Sequence, residues 1–575
     1  METHSPPRCG ARLNPWRWLT VVAVTAGALQ MTGGCQSPRR DAIAREPIGP
    51  DSTVGEPFRF PYIDARAPAD APSRFVGGAG TTPGAPSIAY PLDGAMHAMN
   101  ISEVRFQWTR GTSTNTLFRI RLDDGSNDYD FYTRCVAPRC LFLLPPAGWL
   151  AIASSHSDAQ LTATVTGTDE TGGPVYQSAA IAVRFSPAPV TGGLYYWTAA
   201  TSNGGTTYRL PFGAATATPF IVPSSAINPL PCSGCHSVSR NGAMISFAAA
   251  NDGSGTLGFL GTAPTQAPEQ ATIVPDATGG KRARFTALNA DGSRVLTTTY
   301  GAIQVLDTST GQVLNVGNPA ALLPAGKRVT HPEWSPSGNR VALTLYTFAP
   351  TGGGSDISDA RPEDGEIVTL EFDPVTGKAT RLRHIVVPGS GDGGFQHFYP
   401  SWSPDEQWLV MAAAPRGTSA YAAPAARLRL VSAQLDNQVC PGPTCFELAN
   451  ASQGVNVSST WPKFSPFSQS NGKVFFVTFS SRIDYGFMLS NHSATDGGIA
   501  QLWMSAIDLR ALQMGQPVAD PSLPPVWLPF QNVTQNNQLP FWSEVVACSA
   551  DEGSANPGCG ENQVCDRGEC RVLSP

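Results

Sequence analysis

The chain has 575 residues, 41% of them hydrophobic and only 14% charged, with a formal net charge of −6. That length allows two to four domains. Glycine (57) and proline (51) make up about a fifth of the residues, which argues against a coiled coil or helical bundle and for many short strands and turns. An acidic balance without a basic cluster gives no support for nucleic-acid binding.

Residues 1–34 read as an export signal. Arg8, Arg12 and Arg17 precede an apolar run from Leu19 to Met31 that is short for a membrane span. The run ends in Thr32-Gly33-Gly34-Cys35. This stretch resembles a bacterial lipobox, although Leu is usual at the place of Thr32. The resemblance implies lipidation at Cys35, a membrane contact through that lipid, and an outer-membrane or cell-surface location, with plain secretion to the periplasm as the alternative. Residues 35–85, rich in Pro, Ala, Gly, Asp and Arg, read as a disordered tether.

From 86 to 190 the pattern changes to short alternating strands. Val104–Trp108, Leu117–Leu122, Leu161–Thr166 and Ile181–Phe185 are examples. About seven strands in roughly 100 residues predict a β-sandwich. The opening Pro91-Leu-Asp-Gly94 and the early Trp108 loosely resemble a fibronectin type III or Ig-like module. Asp123, Asp124, Asn127, Asp128 and Asp130 cluster between two strands, as a solvated hairpin turn or a calcium site.

From 191 to 546 the chain repeats itself. Phe285-Thr-Ala-Leu-Asn-Ala-Asp-Gly292, His331-Pro-Glu-Trp-Ser-Pro-Ser-Gly338, Tyr399-Pro-Ser-Trp-Ser-Pro-Asp-Glu406 and Trp461-Pro-Lys-Phe-Ser-Pro466 each lead into a β-rich strand. The copies start 46 to 68 residues apart, which predicts four-stranded blades of a β-propeller. The Ser-Pro-Asp-Gly turn resembles the TolB-type repeat. Six blades are counted, with seven as the alternative, and the strand near Leu539–Trp542 is expected to rejoin the first blade. The fold class is therefore all-β: a sandwich, then a TolB-like propeller, then a small Cys-rich tail over 547–575.

Ten of the twelve cysteines remain once Cys9 and Cys35 are set aside, an even number that suits an oxidising compartment. Cys135 with Cys140 and Cys440 with Cys445 read as small disulfide loops. Cys548, Cys559, Cys565 and Cys570 make a knot-like tail in which three pairings are open.

Pro231-Cys232-Ser-Gly-Cys235-His236 is a C-x-x-C-H sequence, the attachment signature of c-type haem. Two thiols at this spacing can form thioethers with the haem vinyl groups, and the adjacent imidazole can bind iron. The stretch Cys232 to Gly242 resembles one carried by a group of exported TolB-like propeller proteins. Alternatives are a local Cys232–Cys235 disulfide and zinc. The motif aligns with the repeat, so that His236 takes the place of Pro332 and Pro400. His331 and His397 are the candidate distal ligands, followed by Met244 and Met411; Arg240, Arg282 and Arg284 are candidates to meet the propionates. An acidic loop, Asp356 to Glu366, reads as solvated or as a calcium site. No G-x-S-x-G, H-E-x-x-H or P-loop occurs. Three functions stay open: electron transfer or redox sensing through covalent haem with a redox partner, recognition of a surface protein or glycan without haem, and a haem-dependent oxidoreductase.

Overall fold

The computed structural model describes residues 57–548 and the strands Gln563–Asp566 and Glu569–Val572, apart from positions 78, 81–82, 200–204, 215, 223–231, 251–257, 276–280, 300, 348–361, 388–393, 421–422, 454–456, 491–497 and 515–517. The signal, Cys35, Cys559 and most of the acidic loop lie outside the described residues.

The N-terminal module is a two-sheet sandwich. One sheet runs, in spatial order, Tyr62–Ile63, Asp128–Arg134, Leu117–Asp123, Gln160–Thr168, Ile181–Phe185 and Met96–His97; the other comprises Ser87–Tyr90, Arg105–Thr109 and Arg139–Leu143. Alternation along Leu117–Asp123 places Phe118, Ile120 and Leu122 on the core face, where they meet Trp108, Phe131 and Phe185. The helix Pro146–Ser155 adds Trp149, Ile152 and Ala153 to that core.

The expected tether is corrected at its C-terminal end. Tyr62 and Ile63 pair in parallel with Phe131 and Tyr132, and Phe58, Phe60 and Tyr62 pack against the sandwich core. Three aromatic residues within five positions bury enough apolar surface to dock a segment whose composition otherwise favours disorder. The acidic cluster is also resolved. Asp124 accepts backbone N–H bonds from Ser126 and Asn127 and faces His156 at 2.8 Å, while Asp128 and Asp130 pair with Arg121. These carboxylates close a hairpin and form ion pairs, which leaves no calcium site.

The rest forms six blades. Blade I has Gly193–Ala199, Gly205–Pro211, Thr218–Ile221 and, as its innermost strand, Asn536–Ser543 from the far end of the chain. Blades II to VI have innermost strands Cys232–Val238, Phe285–Leu288, Lys327–Trp334, Phe395–Trp402 and Ser459–Gln469. Pairing Leu194 with Trp542 closes the ring, so blade I has no innermost edge left unpaired.

The sandwich is docked on blades I and VI. Ala95, Met96 and Ala98 share a core with Val474, Leu502 and Trp542. The Trp527 N–H donates to Tyr90 Oη at 3.0 Å, and the Phe487 N–H donates to Gln107 Oε1 at 2.6 Å. Both short cysteine loops are disulfides, Cys135–Cys140 and Cys440–Cys445. Cys548 is disulfide-bonded, and Cys565 sits opposite Cys570 across a two-stranded ribbon.

Candidate functional site: the plugged channel

The innermost strands carry a shared irregularity. Register shifts fall at Gly234/Ser237, Thr330/Glu333, Phe398/Ser401 and Thr460/Lys463, and another falls where Asn536–Ser543 meets blade I. In each bulge one residue has left-handed backbone: Cys235 (φ 48°), His331 (49°), Tyr399 (54°), Trp461 (55°) and Leu539 (52°). Such values are uncommon outside glycine and persist where the surroundings hold them. The residue that follows is Pro332, Pro400, Pro462 or Pro540, and in blade II it is His236. Proline suits a bulge because it has no N–H to give to the ladder.

The bulge turns these side chains toward the channel axis. His331 lies 4.0 Å from the Tyr399 ring and 4.6 Å from Phe285, and Tyr399 stacks on Trp461 at 3.6 Å. Leu539 joins the same buried cluster, and Cys235 packs against it. One residue from every blade therefore meets at the axis and plugs the channel. Aromatic contacts of this kind add to the burial itself.

His236 behaves differently. Its side chain faces blade I, 5.2 Å from the Phe541 ring, and is 1% exposed. Neither ring nitrogen makes a well-aligned hydrogen bond among the described residues, and the Tyr195 backbone is the polar group that acts on the ring. Burial drives its pKa down to about 3; the Tyr195 backbone opposes the shift and the Lys463 charge adds to it. The imidazole is thus neutral at pH 7.

On the turn side of the plug lies a recess of about 80 Å³ lined from all six blades. Its base holds Glu333 of blade IV in contact with Lys463 of blade VI. Lys463 also sits 4.0 Å over the Phe541 ring. Arg240, at the rim, bonds Glu544 and donates to the Pro466 carbonyl at 2.7 Å.

Two of the three side chains that the motif would bring to one group diverge. Cys235 faces the plug, whereas His236 faces blade I. The strand Cys232–Val238 is extended, so the Cα atoms of Cys232 and Cys235 stand roughly 10 Å apart. That separation also removes the local disulfide considered from sequence, because a bridge needs Cα atoms within about 7 Å.

The other candidates are accounted for as follows. His331 is in the plug, with Nδ1 3.2 Å from Thr344 Oγ1. His397 Nε2 accepts from Arg429 at 2.8 Å, and burial takes its pKa to about 3. Met411 is core, and Met244 packs against the core between blades II and III. Arg282 lies over the Phe259 ring at 3.9 Å and Arg284 is buried. Among the described residues no three His, Cys, Asp or Glu side chains converge as a metal site. The plug and the Glu333–Lys463 pair were not anticipated. The available signal was the recurring aromatic-Pro or His-Pro pair before each turn.

No family model and no curated protein matches the chain. Among solved structures it is similar to Kuenenia stuttgartiensis hydrazine synthase (14% identity, TM-score 0.27, 49% of this chain and 65% of that one). It is also similar to Porphyromonas gingivalis dipeptidyl peptidase 4 (9%, 0.28, 55% and 50%) and to the β-propeller domain of Cps50 (Swd1) from Myceliophteria thermophila (12%, 0.26, 57% and 90%). The chain spans less than two thirds of the first two. The strand pairing establishes the propeller, and these likenesses carry no functional argument.

Proposed function

We propose that this protein is an exported, TolB-like lipoprotein that acts as a recognition scaffold, with its ligand contacts at the mouth of the plugged channel. The observation that carries this reading is the recess: a polar hollow to which all six blades contribute, with Glu333 and Lys463 at its base. Convergent polar groups in a concavity are the ordinary signature of a binding site. The lipid on Cys35 would hold the scaffold at the outer membrane or cell surface, and labelled palmitate should be incorporated by the full chain and lost in Cys35→Ser.

A second reading, covalent haem at Cys232, Cys235 and His236 with a redox partner, is favoured by one observation: the buried His236 nitrogens make no well-aligned hydrogen bond among the described residues, an arrangement that costs folding energy. The test is a denaturing gel and absorption spectrum of the full chain made in a strain competent for c-type maturation. The scaffold reading expects no retained haem band; a retained band that disappears in the Cys232→Ser/Cys235→Ser double variant overturns it in favour of the haem reading.

A further inference from the structure

The recess has an unusual floor. Glu333 and Lys463 come from blades IV and VI, which are not neighbours in the ring, and meet at the base of the recess. Their side chains are only 19% and 11% exposed. The Ser401 hydroxyl also reaches Glu333, and the Phe541 ring supports Lys463. Burial pushes the Glu333 carboxyl up and the Lys463 amine down, while each partner works against the other's shift. The way in passes the half-exposed turn prolines Pro336, Pro404 and Pro466.

Breaking a buried pair on one side leaves an uncompensated charge, which is strongly unfavourable. A ligand with a single charge would do that. A ligand carrying both charges, a bond or two apart, would exchange partners with the pair and leave nothing unpaired. The small volume admits only a short molecule. We propose that the recess binds a small zwitterion of the α-amino-acid class, with its carboxylate on Lys463 and its ammonium on Glu333. This assignment rests on the reading of the recess as a binding site and goes further by naming the ligand class.

The test is calorimetric titration of the full chain with glycine and L-alanine, with glycinamide and N-acetylglycine as single-charge controls. Glycine and alanine are expected to bind, and each control to bind at least about thirtyfold more weakly, since truncating one side of a buried charge pair costs 2 kcal/mol or more. Glu333→Gln and Lys463→Met should each abolish binding. The charge-swapped double variant Glu333→Lys/Lys463→Glu, checked for folding by circular dichroism, should restore it. A control that binds as tightly as glycine overturns the zwitterion assignment. Binding of acetate or methylammonium alone, lost in Lys463→Met or Glu333→Gln, overturns it too but keeps the recess as a site. No binding of any of these probes overturns the zwitterion assignment, while the scaffold reading is decided by the haem gel above.

Discussion

The innermost strands of blades IV, V, VI and I and that of blade II solve one backbone problem with different side chains. All five place a non-glycine residue in left-handed backbone at the bulge. Four follow it with proline, and blade II follows it with His236. In the four, the position holds a buried, rigid apolar ring without polar side-chain atoms to satisfy. In blade II a neutral imidazole takes the same position, and its two nitrogens make no well-aligned hydrogen bond among the described residues. The plug residues differ too: Tyr399 and Trp461 stack, whereas Cys235 packs against the cluster without an aromatic ring. The ring geometry therefore belongs to the fold, and the chemistry in blade II is an addition that the fold tolerates at a cost.

The comparison breaks first at the plug. Trp461→Ala should lose about 3–5 kcal/mol, the usual cost of deleting a large buried aromatic, read as a lower urea midpoint. Cys235→Ala in the same ring should change stability by less than about 1 kcal/mol. Equal losses at both positions would show that blade II carries as much of the plug as blade VI.

Acid sharpens the contrast next. Burial lowers the pKa values of His97, His236 and His397 to about 3, below the unfolded value near 6.5. The unfolded chain then binds protons that the folded chain refuses. The stabilising contribution is complete above about pH 6.5 and falls steadily as the pH drops toward 3. At pH 5 each histidine should account for about 2 kcal/mol. Thermal melts between pH 4.5 and 7.5 should show that slope, and His236→Phe should reduce it by one proton. An unchanged slope in the variant would mean that His236 is charged or exposed in solution.

The smallest effect is the most diagnostic. His236→Pro makes blade II like the other four. Removing nitrogens that make no well-aligned hydrogen bond is favourable and the vacated volume is not, so the net change in urea stability should stay within about 1 kcal/mol. A large loss would mean that the imidazole has a partner that stabilises the fold.

Much of the architecture was legible in the chain. The repeats from Phe285, His331, Tyr399 and Trp461 predicted the blades, and Leu539–Trp542 predicted the closing strand, because turn chemistry and strand alternation are local and recur. Ile181–Phe185 was read to the residue. The two short disulfides were legible because five-residue spacing leaves few alternatives. Residues 57–77 were misread as tether, since composition does not reveal that Phe58, Phe60 and Tyr62 have a core to join.

The C-x-x-C-H motif shows the limit most clearly. Sequence placed His236 at the proline position of the repeat, and the structure agrees. Spacing alone suggested that Cys232, Cys235 and His236 act on one group. What spacing does not carry is that the bulge turns Cys235 toward the plug and His236 toward Phe541 of blade I.

The repeat and the two short cysteine loops follow from residues close along the chain, whereas the choice of six blades over seven came from the ring closure of Leu194 on Trp542. Only the tertiary structure decided that six side chains plug the axis, and that Glu333 and Lys463, 130 residues apart, share the floor of one recess. Those contacts exist because closing the ring brings one strand of every blade to a common axis, and no local pattern encodes which side chains will meet there.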